Sequence, residues 1–188
     1  MFLASLSPIV ITVIVLVAII LILLLYIIIT VNSFKQLIVK ISEADSGINV
    51  ALTKRYDLLT KALDTAKAYT KYEKETLYEI IDLRKDMTTT QKAQVVEKLD
   101  KMGNTVNVLA ENYPELRSAQ VFSDLMSSIK DSEEHLQAAR RLYNSNVSHY
   151  NQKLVSFPAS IIAKMLNLKA ANFFVADIEK KNDVKISL

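Results

Sequence analysis

Apolar and polar positions divide this chain into two regimes. From Ile9 to Val31 there are 23 consecutive residues without a charge, and no charged residue precedes Lys35. As a helix this run is roughly 34 Å long, enough to cross a hydrocarbon core of about 30 Å. Its polar interruptions are Thr12, Tyr26 and Thr30, with Tyr26 near one end, where an amphipathic ring suits the headgroup level. Beyond Phe34 the pattern becomes amphipathic. Leu37, Ile41, Ala44, Ile48, Leu52, Leu59, Ala62, Ala66, Tyr69, Leu77, Ile80 and Leu83 follow the three-and-four spacing of one helical face, which predicts a helix from about Phe34 to Met87 passing through Gly47. Met87-Thr88-Thr89-Thr90 reads as a break with capping capacity. A second helix, about Gln91 to Glu111, carries Val95, Val96, Leu99, Met102, Val106, Leu109 and Ala110, and Asn112-Tyr113-Pro114 ends it. In a third helix Phe122, Ile129, Leu136, Tyr143, Tyr150 and Phe157 recur every seven residues until Pro158, as in bundle or coiled-coil packing. A short apolar segment and a polar tail follow.

The fold class is therefore all-α: an N-terminal transmembrane helix continuing into an elongated antiparallel bundle of three long helices and a short C-terminal one. Two glycines and three prolines are too few for the turns of an all-β chain. The expected domains are an anchor at 1–34, a helical bundle at 35–180 and a frayed tail at 181–188. If the helices alternate in direction, the apolar segment after Pro158 lies at the membrane-distal end. There it would cap the core or, on a sharper reading, use Ile161, Ile162, Met165, Leu166, Phe173 and Phe174 to contact a second copy or a partner. Docking onto the same membrane is the least expected use, unless the bundle lies flat.

The anchor reading displaces two others. A cleavable signal peptide wants a basic start, a shorter apolar run and a small-residue cleavage site, none of which is present. A buried core helix rarely runs past 18 residues without a charge. Lys35 and Lys40 follow the run and no basic residue precedes it, so the positive-inside bias places the C-terminal domain in the cytoplasm. The absence of cysteine removes disulfides and palmitoylation but does not decide the side.

Chemistry adds little. His135 and His149 stand 14 residues apart, about 21 Å along one helix, and neither has a glutamate three residues before it, as a di-metal bundle requires. No glycine-rich phosphate loop or nucleophile elbow occurs. Lysines are scattered among acids, so a net charge of +3 gives no nucleic-acid stripe. No enzyme activity, cofactor, small-molecule substrate or nucleic acid is expected. One polar constellation interrupts the apolar faces: Arg55 and Asp57 on the first helix, Arg140, Asn144 and Asn151 on the third. A buried arginine needs acceptors, which predicts a network of Arg140 with Asp57, Glu133 or Glu73 that fixes helix register or, on the sharper reading, forms a ligand or partner site.

The same residues carry a likeness. Lys54-Arg55-Tyr56-Asp57-Leu58-Leu59, Tyr72-Glu73-Lys74-Glu75-Thr76-Leu77, Tyr113-Pro114-Glu115-Leu116, Ala139-Arg140-Arg141-Leu142-Tyr143-Asn144, Tyr150-Asn151 and Ser156-Phe157-Pro158 resemble the bacterial LemA family in order and spacing. Departures exist. The family's Leu-Ile-Pro-Asn-Leu after Asp57 is here Leu58-Leu59-Thr60-Lys61-Ala62, Tyr72 stands for a usual histidine, and Asp45-Ser46 for Trp-Ser. The resemblance implies a helical bundle on a membrane anchor and no generally assigned activity. The expected function is a membrane-anchored, non-enzymatic scaffold that contacts lipid through residues 9–31 and self-associates or recruits a protein at the bacterial cell membrane. The alternative is a membrane-shaping or membrane-stress protein that polymerises on the bilayer.

Overall fold

A computed structural model describes residues 8–67, 69 and 87–175. Among the described residues there are helices and no strand: α1 (Pro8–Lys67), α2 (Thr89–Asn112), α3 (Pro114–Ser118), α4 (Gln120–Val155) and α5 (Ala159–Met165). The expected continuation of the first helix to Met87, Glu73 with its motif, and the tail 181–188 lie outside the described residues.

The helices begin and end for local reasons. α1 runs unbroken past Asn32-Ser33 and Gly47, as the pattern predicts. Thr88 caps α2 in a capping box: its hydroxyl accepts from the Gln91 N–H, and the Gln91 side chain accepts from the Thr88 N–H. Pro114 opens α3 at a position where its missing N–H costs nothing. α5 closes with Asn167 at φ 53°, the Asn167 N–H bonding the Lys164 carbonyl and the Leu168 N–H bonding the Ala163 carbonyl. That is a Schellman ending with asparagine in the left-handed position, and it releases the chain into an extended segment.

The chain groups into two compact units. One comprises Met1–Lys40 with His149–Ala171, the other Ile41–Ser148 with Asn172–Leu188.

In the second unit, the seven apolar residues read for α2 are all buried, together with Ala44, Ile48, Leu52, Leu59, Ala62 and Ala66 of α1 and Phe122, Leu136, Tyr143 and Val147 of α4. A fully buried leucine such as Leu99 contributes about 1.5–3 kcal/mol. The charged pairs give the helix directions. Lys92 meets Asp45 and Asp100 meets Arg55, so α2 runs parallel to α1; Glu133 also meets Arg55, while Tyr143 lies near Asp45, so α4 runs antiparallel. A returning second helix is thereby corrected.

In the first unit, every residue from Pro8 to Ile29 except Tyr26 is exposed, an apolar surface that belongs in lipid or against another protein. Beyond it, Phe34 is buried against the end of α4: its ring meets Tyr150 edge-on at 6.1 Å, Lys153 lies 5.3 Å above it, and the Lys153 ammonium donates to the Ser33 hydroxyl. The end of α4 therefore abuts the apolar stretch of α1. This overturns the expectation that the segment after Pro158 lies far from the anchor. Phe157 is a further correction: α4 ends at Val155, so the heptad stripe stops at Tyr150 and Phe157 is 82% exposed.

Candidate functional site

The residues read as one polar network fall into separate groups. Arg55 lies on the apolar stripe of α1, buried between Leu52 and Leu59 in sequence. Its Nη2 donates to Asp100 at 2.8 Å and makes an ion pair with Glu133 Oε2 at 2.9 Å that lacks hydrogen-bond alignment. Arg55 Nε and Nη1 are buried without a partner. Both carboxylates remain partly exposed and border a recess of about 450 Å³ with Asn104, Asn107 and Lys130. Asp57 is exposed and outside this group. Asp100 completes the cluster; sequence reasoning sought acceptors for Arg140 and weighed no acid on α2.

Arg140, Asn144 and Asn151 do not join Arg55. They face the extended segment after α5. In the second unit the Asn144 side chain donates to the Phe174 carbonyl at 2.9 Å and accepts from the Phe174 N–H at 2.8 Å. The Tyr143 hydroxyl donates to the Asn172 carbonyl, and the Arg140 guanidinium lies 4.7 Å above the Phe174 ring. The first unit repeats the pattern. Asn151 bonds both backbone groups of Ala171 at 2.9 Å, and the Tyr150 hydroxyl donates to the Lys169 carbonyl at 3.0 Å. Each asparagine amide acts as a neighbouring strand would, supplying one donor and one acceptor to a peptide that has left regular structure. Burial raises the Tyr143 hydroxyl above its ordinary value of 10.0, with the Asp45 charge adding to it; burial alone raises Tyr150.

Lys92 is a second feature the sequence reading passed over. It is 0% exposed and pairs with Asp45. The signal was its place on the α2 stripe, three and four residues before Val95 and Val96.

The residues read as an interaction surface also divide. Ile162 and Phe174 are buried; Ile161, Met165, Leu166 and Phe173 are exposed. His135 and His149 are both exposed. Among the described residues no group of three or more His, Asp or Glu gathers in a way that could hold a metal ion.

The LemA family model matches residues 44–188. The chain belongs to the LemA family. The match takes in Arg55, both Tyr-Asn pairs and the clasped segment, while the apolar stretch of α1 precedes it. Protein LemA of Metamycoplasma hominis is 27% identical over 153 residues, covering 79% of this chain and 70% of that protein. The magnetosome protein MamQ of Magnetospirillum gryphiswaldense is 26% identical over 66 residues, 35% of this chain and 24% of that protein. LemA membership together with the apolar helix fits a membrane-associated protein.

Proposed function

We propose that this LemA-family chain is a single-pass, non-enzymatic scaffold that self-associates or recruits a partner protein at the bacterial cell membrane, with its folded units on the cytoplasmic side. The observation that carries the reading is the apolar stretch of α1, exposed from Pro8 to Ile29 apart from half-buried Tyr26 and continuous with the helix whose polar-flanked face builds the second unit. Charge supports the side. The first unit holds five lysines (Lys35, Lys40, Lys153, Lys164 and Lys169) and no acidic residue, so the other 18 basic residues stand against all 20 acidic ones. Basic residues beside a span favour the cytoplasmic face. The polar residues on packed faces hold helices and the extended segment together, which supports a structural role for them.

Photo-crosslinking of full-length protein in intact cells tests the scaffold reading, with protease access to a C-terminal tag reporting the side. Adducts with a second copy or one recurrent protein are expected, together with a tag cut only after cell lysis. A protein that stays monomeric and free of adducts overturns it.

A further inference from the structure

We propose that residues 155–166 form a second contact with the bilayer, entering the headgroup boundary of the leaflet from which α1 emerges; this rests on the reading of α1 as a membrane span. Place is the first observation. Within the first unit, α4 passes Phe34 at Tyr150 and Ser33 at Lys153, and then continues into the Pro158 turn and α5. On α1, Thr30 is 4% exposed and Tyr26 half-buried, four and eight residues before Phe34 on the same face. Cover on that face thus reaches back into the apolar stretch itself, to the depth where a span meets headgroups.

Exposure is the second. α5 buries Ala159, Ile162 and Ala163, while Ile161 and Met165, one turn apart, point away from that face. With Val155, Phe157 and Leu166 they put five large apolar side chains outward within twelve residues, Phe157 at 82% and Met165 at 74% exposed. In water this patch is a liability; at an interface it is an anchor.

Charge is the third. The unit carries no carboxylate, and Lys35, Lys164 and Lys169 are exposed. A basic, acid-free unit that also exposes an apolar patch complements anionic headgroups, whereas a second copy of the same unit would meet it with like charge. The lipid surface is therefore the occupant the observations favour.

The chain has no cysteine, so a single introduced cysteine labels uniquely. Full-length Leu21→Cys, Met165→Cys and Val121→Cys variants carry a nitroxide in vesicles of phosphatidylcholine and phosphatidylglycerol, and collision with oxygen is compared with collision with a water-soluble nickel chelate. Oxygen should dominate at positions 21 and 165, and nickel at exposed Val121. Adding Phe157→Asp should turn the position 165 label several-fold toward nickel and leave position 21 unchanged. An aqueous label at 165 beside a lipid-exposed label at 21 overturns this inference and leaves the span intact; aqueous labels at both overturn the span. A label at 165 shielded from both quenchers assigns the patch to a protein partner instead. A label at 121 matching that at 165 removes the assignment to this segment.

Discussion

Asn144 and Arg55 stand in comparable places, polar side chains on long helices of the same unit, yet their hydrogen bonding ends in opposite states. Asn144 has both amide groups matched to the backbone N–H and C=O of one residue, Phe174, of the extended segment. Arg55 satisfies Nη2 and leaves Nε and Nη1 buried without partners, although two carboxylates lie beside it. The difference is one of inventory. A neutral amide carries the same donor and acceptor as a peptide and closes completely against it. A guanidinium carries five donors and is desolvated as an ion, so two half-exposed carboxylates do not repay its burial. The asparagines hold a segment that has no regular structure of its own, whereas the arginine is buried with part of its hydrogen-bonding capacity unmet.

Breaking the charged side of this comparison gives the largest expected effect. Asp45→Ala strands the fully buried Lys92 ammonium and should lower stability by about 3 kcal/mol, read as an earlier thermal unfolding of the detergent-solubilised protein; Lys92→Met, which removes the charge as well, should cost much less. Asn144→Ala removes two hydrogen bonds and orphans the Phe174 peptide, for a loss of about 2 kcal/mol, and should speed amide exchange at Phe174. Arg55→Met is predicted to be neutral or stabilising by about 1 kcal/mol. A loss there larger than that of Asn144→Ala would reverse the comparison. The tyrosines sharpen it through pH. Their folded values lie above 10.0, so the stability they contribute is whole below about pH 10 and falls as pH rises through the folded values, where a phenolate no longer donates to the Asn172 and Lys169 carbonyls. Tyr143→Phe should flatten part of that alkaline loss. Gly47→Ala, where an added Cβ meets nothing within 4 Å, should stabilise by about 0.5–1 kcal/mol and sets the scale for a change that touches neither group.

Much of this was legible in the spacing. The α2 stripe from Val95 to Ala110 is buried residue for residue, and the hydroxyl run before it supplied the cap at Thr88. Amphipathic periodicity tells which face is buried and says nothing about which way a helix runs, so the direction of α2 was not readable. Arg140 was read as needing Asp57, Glu133 or Glu73 as acceptors, whereas its guanidinium lies over the ring of Phe174; a stripe position does not distinguish a carboxylate from an aromatic face. The paired Tyr-Asn repeat was visible at 143–144 and 150–151, while its partner was hidden because an extended segment held by side chains carries no period of its own. Lys92 was legible in principle, since a lysine on an apolar stripe demands a partner.

The turn that ends α5 carries a last consequence. A helix terminus normally leaves carbonyls that only water can satisfy, and it resists any surroundings that withdraw water. Here the Ile162, Ala163 and Lys164 carbonyls each accept a hydrogen bond from the chain that follows, at Leu166, Leu168 and Asn167. That end of the helix brings its own solvent, and drying it exposes no orphaned group at those three positions.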